Sequence, residues 1–188
     1  MTFTYKAKQF IASPDAEVLG TVFLGMSENL RAEQSKEMLA KYGITEIDVD
    51  AWYPHQLAFD VAKAIHEGPN GMEVLVAMGR GIGETAALPS EISDIESFMA
   101  ALPYLYQANI RNMHREERFY VETLGEKHYK IINNTPSSNN LIYGTLWEFL
   151  RRYSSSDEQF SLIPLSGIEK DATEGAVFEI KIESQKPR

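Results

Sequence analysis

Between residues 92 and 110, Ile92, Ile95, Phe98, Met99, Leu102, Leu105, Tyr106 and Ile110 return at helical spacing and would form one broad apolar face. The pattern predicts a central core helix. Pro103 falls inside it. Proline lacks a backbone donor and clashes one turn back, so the helix must bend or break near Ala101 and Leu102. A bend leaves space beside it, to be filled by neighbouring side chains or by a small ligand.

Upstream, Phe3, Tyr5 and Ala7 alternate with Thr4, Lys6 and Lys8, so residues 1–12 read as an extended arm. From Glu17 onward Val18, Val22, Met26 and Leu30 step by four, and Leu19 and Phe23 widen the stripe, predicting a first buried helix. A second helix over 32–42 turns Met38, Leu39 and Tyr42 inward and ends at Gly43, and 44–49 is a connector. Pro54 suits the first turn of a third helix that buries Leu57, Val61, Ala64 and Ile65 and stops at Gly68-Pro69-Asn70-Gly71. Ser93 with Glu96 matches a capping box for the central helix, and Ser90 is the other candidate cap.

Residues 72–87 admit two readings. An apolar run followed by Gly79-Arg80-Gly81-Ile82-Gly83 looks like a strand entering a phosphate loop. The dinucleotide fingerprint, however, needs glycine where Glu84 stands, and a carboxylate there opposes pyrophosphate. No Walker lysine follows. A helix whose glycines permit close packing against a neighbour accounts for the same residues.

After His114 the period changes to two. Phe119-Tyr120-Val121-Glu122-Thr123 and Lys127-His128-Tyr129-Lys130-Ile131-Ile132 predict a hairpin turning at Gly125-Glu126. Residues 133–140 form a polar loop that can cap a helix marked by Ile142, Leu146, Phe149, Leu150 and Tyr153. Strands follow at 160–165 and 177–183, and 184–188 is a frayed tail. The class is α+β: N-terminal helices packed on an antiparallel sheet, with a ββαββ C-terminal half. No repeat or linker divides it, so one domain over 13–188 carries the 1–12 arm.

Hydrophobic residues at 44% and charged residues at 24% describe a core-forming chain, neither disordered nor membrane-embedded. No apolar run reaches bilayer length and no signal-peptide pattern is read, so a cytoplasmic protein with no membrane partner is expected. A net charge of −9 with dispersed Lys and Arg argues against nucleic acid. Without cysteine there are no disulfides, thiolate metal sites or cysteine nucleophile. His55, His66, His114 and His128 lack metal-ligand spacing and are expected as surface or satisfied polar residues. Ser154-Ser155-Ser156 lacks a nucleophile elbow, and Asp94 and Glu96 read as helix-start acids, so no catalytic residue is singled out.

Several strings fall in an order that resembles the H-NOX-like superfamily. They are Val18-Leu19-Gly20-Thr21-Val22-Phe23-Leu24-Gly25, Trp52-Tyr53-Pro54, the segment 98–106 around Leu102-Pro103, Leu141-Ile142-Tyr143-Gly144-Thr145-Leu146, and Gly175-Ala176-Val177-Phe178-Glu179-Ile180. The superfamily joins the haem nitric-oxide and oxygen-binding domains, the 4-vinyl reductase domain and vesicle-tethering subunits. The likeness spans about 17–183 and is nearest to an uncharacterised bacterial family of haem-free relatives. In the haem-binding branch a histidine on the central helix ligates iron and a Tyr-x-Ser-x-Arg motif grips the propionates. Aligned on that pattern, Tyr106 stands at the ligand position and Ile132, Asn134 and Pro136 stand at the motif positions. The resemblance therefore implies the fold without the haem anchors, and no cofactor.

The function expected is a non-catalytic sensory or small-ligand-binding domain. Its apolar pocket would draw on Phe23, Trp52, Phe98, Leu102, Tyr106, Ile142 and Leu146. The partners expected are an apolar small molecule, and a protein partner or second copy. The alternatives are a protein–protein interaction module or homodimeric adaptor with a filled core, a haem-based gas sensor, and a 4-vinyl-reductase-like enzyme. Tyr106 is the residue to watch, because a buried phenol needs a hydrogen-bond partner and can offer it to a ligand.

Overall fold

The computed structural model describes residues 4–22, 39–41 and 43–184. In chain order they form β1 (Glu17–Leu19), β2 (Trp52–Pro54), α1 (His55–Glu67), α2 (Gly71–Thr85), α3 (Ile95–Leu105) and β3 (Ile110–Arg111). Then follow β4 (Arg118–Gly125), β5 (His128–Asn134), α4 (Asn139–Tyr153), β6 (Glu158–Ser166) and β7 (Val177–Ser184). The C-terminal half is thus ββαββ, and its strands pair antiparallel in the order β4-β5-β7-β6. Alternation sets which face is covered: Tyr129 and Ile131 on β5 and Phe178, Ile180 and Ile182 on β7 are buried, while Lys181 between two of them is exposed. Phe98, Leu146, Phe149 and Leu150 from α3 and α4 close over that face, each fully buried side chain contributing about 1.5–3 kcal/mol.

The helix predicted for 72–87 is α2, and its glycines meet α4. A Cβ on Gly79 would lie 2.0 Å from the Leu141 carbonyl oxygen, and one on Gly144 would lie 2.1 Å from that of Val76. Only glycine permits backbones to approach this closely.

The central helix is shorter than its apolar pattern. It starts at Ile95 because Asp94 accepts from the Ser97 backbone N–H at 2.8 Å and Ser97 reciprocates, so the capping box is Asp94 with Ser97 and involves neither Ser93 nor Ser90 as the cap. It stops at Leu105, two residues beyond Pro103. A 3-10 turn, Gln107–Asn109, then leads Ile110 into β3. The expected face, Ile95, Phe98, Met99 and Leu102, is nevertheless the buried one.

A second, three-stranded sheet, β2-β1-β3, corrects the reading at Glu17. Glu17–Leu19 is a strand, with Glu17 opposite both Pro54 and Arg111. A step of four is a local signal, whereas these partners lie far along the chain and enclose Val18, which has no exposed surface. Residues 20–22 and 39–41 are helical; the rest of the two predicted N-terminal helices, including Phe23, lies outside the described residues. Two further details differ. The hairpin loop is Glu126-Lys127, because Gly125 pairs with His128 and Lys127 takes the positive φ of 46°. In α1 the buried face is His55, Ala58, Phe59, Val61 and Ala62, with Ala64 exposed, so the stripe is rotated from the one expected.

The predicted polar loop is polar but not exposed. Asn139 is fully buried and uses its whole amide. It donates to the Gly167 and Glu174 carbonyls at 2.6 and 2.8 Å and accepts from Asn133 Nδ2 and the Ala176 N–H, both at 2.8 Å. The arm is laid across this loop: the Ala7 N–H donates to Asn134 Oδ1 at 3.0 Å, the Asn139 N–H to Gln9 Oε1 at 2.9 Å, and the Phe10 N–H to the Pro136 carbonyl at 2.7 Å.

Candidate functional site

Buried apolar residues fall into two clusters. One joins α3 and α4 to the four-stranded sheet, and the other joins Val18 to α1 and α2. Where they meet, packing is incomplete and leaves a cavity of about 260 Å³. Its wall takes Val18 and Val22 from the N-terminal segment, His55, Ala58, Phe59 and Ala62 from α1, and Ile82, Ala86 and Leu88 from α2 and the turn after it. Leu102, Leu105, Tyr106, Asn109, Ile110 and Phe119 close another side, and Ser137, Ser138, Leu141, Ile142, Thr145, Leu146 and Phe149 supply the α4 side.

Of the residues expected at a pocket, Leu102, Tyr106, Ile142 and Leu146 meet on this wall. Two described ones stand elsewhere. Phe98 is fully buried behind the wall, its ring 4.9 Å from that of Phe149. Trp52 pairs with Leu19 at the sheet edge and carries the Arg111 guanidinium 4.4 Å from its indole. Phe23 lies outside the described residues.

His55 overturns its expectation. It is 3% exposed, and its Nδ1 is buried without a partner. The ring lies 4.2 Å from Phe59 and 6.4 Å from Tyr106. Desolvation holds its pKa down to about 4, so the imidazole is neutral at pH 7. The other three histidines are engaged: His66 with the Lys170 carbonyl at 2.9 Å, His128 with Glu179 at 2.7 Å, and His114 stacked 4.0 Å from Tyr5.

Tyr106 presents a buried hydroxyl with no hydrogen bond, although the Ser137 and Thr135 hydroxyls stand near it. Burial, and after it the Glu117 carboxylate, hold this phenol well above its ordinary pKa, so it remains a donor at neutral pH. Ser138 Oγ, at the start of α4, is likewise buried and unpaired. Behind Tyr106, Glu117 is fully buried. One carboxyl oxygen accepts from Tyr5 Oη at 2.7 Å and from Ser13, and the other has no partner. His55, Ser138 and Glu117 carried no motif. The trace of His55 in the sequence is its position three residues before Ala58 and four before Phe59, on the true apolar face of α1.

These residues are poorly suited to the haem that the resemblance associates with this fold. His55 offers an imidazole nitrogen, but Tyr106 is held as the neutral phenol, the wrong state for an iron ligand. Among the described residues no Lys or Arg lines the cavity to receive a propionate. At the positions that the resemblance assigns to the propionate motif, Ile132 is apolar, Asn134 is committed to Ala7, Tyr5 and Glu116, and the Pro136 carbonyl accepts from the arm. This donor set does not fit haem. Among the described residues no group of three His, Asp or Glu could hold a metal ion, and no helix is long and apolar enough to cross a membrane.

No family model matches the chain, and no curated protein matches it. Solved structures do. An H-NOX protein from S. oneidensis in its Fe(II)NO ligation state is similar with a TM-score of 0.64 and 12% identity, over 88% of this chain and 99% of that one. A mutant of T. tengcongensis H-NOX gives 0.57 and 16%, over 88% and 96%. An oxygen-binding H-NOX domain related to soluble guanylate cyclases, in its oxygen complex, gives 0.54 and 17%, over 90% and 97%. At these identities the likeness speaks of architecture alone: the chain has the H-NOX-like fold.

Proposed function

We propose that this chain is a non-catalytic, haem-free sensory domain that binds a small apolar molecule in the cavity between α1, α2, α3 and α4. The observation that carries the reading is the cavity itself, an apolar hollow with His55 Nδ1, Tyr106 Oη and Ser138 Oγ left unpaired at its wall. Leu102, Tyr106, Ile142 and Leu146 are its contacts from the central and late helices. Phe98 and Trp52 act from outside the wall. Residues 1–12 serve as an arm of the domain formed by 13–188, and the cytoplasm is its compartment.

The test is solvent extraction of the purified protein followed by mass spectrometry, with thermal unfolding in the presence of apolar probes. A bound molecule or a rise in Tm supports the reading, and neither would remove it. An absorbance spectrum after haem is offered tests the other half. A Soret band surviving gel filtration would restore a haem sensor with His55 as the first candidate ligand. A second reading, a protein-interaction module, is favoured by the outer strand β6, where Ile163 and Leu165 are 46% and 53% exposed. A monomer at all concentrations in sedimentation, with no partner recovered, would count against it.

A further inference from the structure

The orphaned polar atoms are not scattered over the cavity wall. Tyr106 and His55 face each other with ring centroids 6.4 Å apart, and Ser137, near the Tyr106 hydroxyl, is followed directly by Ser138. They form one polar end to a hollow whose remaining described walls are Val, Ala, Leu, Ile and Phe with Asn109 and Thr145. Buried polar atoms left without partners cost roughly 1–3 kcal/mol each, so a native fold retains them where something else completes their hydrogen bonds.

The charge at this end is the second constraint. Among the described residues no Lys or Arg lines the cavity, and the carboxylate that acts on Tyr106 is the fully buried Glu117. A carboxylate or phosphate placed there would lose its hydration, gain no cation and meet Glu117. An ammonium would be drawn toward Glu117 but would touch only neutral groups at the described wall, with no carboxylate in contact to replace its hydration. An uncharged acceptor meets the opposite situation. The Tyr106 phenol is a donor at neutral pH, Ser138 can donate, and the unpaired His55 nitrogen can donate or accept according to its tautomer.

Resting on the ligand-binding reading above, we infer that the cavity selects uncharged amphiphiles. The ligand has a compact apolar body with one hydroxyl or carbonyl head, held by Tyr106, Ser138 and His55, and organic anions and ammonium ions are rejected. The uncharged head completes the hydrogen bonds, and the apolar body replaces the contacts missing between the two clusters.

The experiment is an NMR titration of the full chain with four probes of one skeleton: toluene, benzyl alcohol, benzoate and benzylamine. Benzyl alcohol is expected to bind several-fold more tightly than toluene and at least tenfold more tightly than benzoate or benzylamine. In Tyr106→Phe the alcohol-to-toluene ratio is expected to fall toward one, and in Ser138→Ala to fall part of the way. Equal binding of alcohol and toluene by the wild-type chain, or tighter binding of either ion, overturns the inference while leaving a ligand cavity in place. If toluene and alcohol both fail to bind, the cavity reading falls and this inference with it.

Discussion

The polar loop around Asn139 and the polar end of the cavity adjoin at Ser138 and Asn139, and they treat their buried polar groups oppositely. At the loop every donor and acceptor of the Asn139 amide has a partner, supplied by Asn133, Gly167, Glu174 and Ala176. At the cavity His55, Tyr106 and Ser138 keep atoms with none. Low local dielectric strengthens a completed network and penalises an incomplete one. The first arrangement therefore holds the fold, and the second carries the cost of its unpaired atoms.

The largest effect should come from breaking the completed side. Asn139→Ala strands Asn133 Nδ2, the Ala176 N–H and the Gly167 and Glu174 carbonyls together, and is expected to cost about 3–5 kcal/mol in denaturant unfolding. A loss under about 1 kcal/mol would mean that water replaces the network and that the contrast between the two regions is false.

A smaller effect, with a pH signature, belongs to the incomplete side. The folded pKa of His55 is about 4 against an ordinary 6.5, so below pH 6.5 the unfolded chain binds a proton that the folded one does not. Stability from this group is intact above pH 6.5, falls as pH drops toward 4, and then levels, a total of about 3 kcal/mol. Carboxylates with lowered pKa values, such as Glu158 beside Lys127, add their own acid loss, so the informative quantity is the difference between wild type and His55→Leu. The variant should show the shallower slope between pH 6.5 and 4. Parallel slopes would mean that His55 is solvated and the cavity end is wet.

The contrast also marks how far the sequence could be read. The helix faces of α3 and α4, the hairpin strands and the α2 glycines were legible because each signal is local and periodic. The strand at Glu17–Leu19 was not, since its partners lie at Trp52–Pro54 and Ile110–Arg111. Leu102, Tyr106, Ile142 and Leu146 were legible as inward-facing, while the hollow they line depends on how two clusters fail to merge. His55 was missed because Leu57, Val61, Ala64 and Ile65 suggest a stripe that leaves it on the outer face. The burial of Ala58, Phe59 and Ala62 rotates that stripe and carries the imidazole inward.

Cavity size offers a third test of the same difference. Leu146 is 1% exposed and forms part of the hollow, and Leu146→Ala removes methyl groups that already border empty space. The cost expected is about 2–3 kcal/mol, at the lower end for a buried leucine, and an apolar probe should restore part of it by filling the enlarged space. Phe98→Leu, behind the wall, should lose stability without becoming more responsive to the probe. Equal responses in the two variants would place the bound probe elsewhere.

The smallest effect carries the opposite sign. Tyr106→Phe deletes a buried hydroxyl that has no hydrogen bond and leaves the ring, its edge-on contact with Phe119 at 6.0 Å included. Removing an unsatisfied polar atom abolishes its desolvation cost without stranding a partner, so the ligand-free variant should be more stable by about 1 kcal/mol. Were the hydroxyl instead bonded to Ser137 or Thr135, the same change would strand that partner and lower stability by a similar amount. The sign of one unfolding difference, measured after any copurified molecule has been stripped, therefore decides whether Tyr106 belongs with the completed network of Asn139 or with the open end of the cavity.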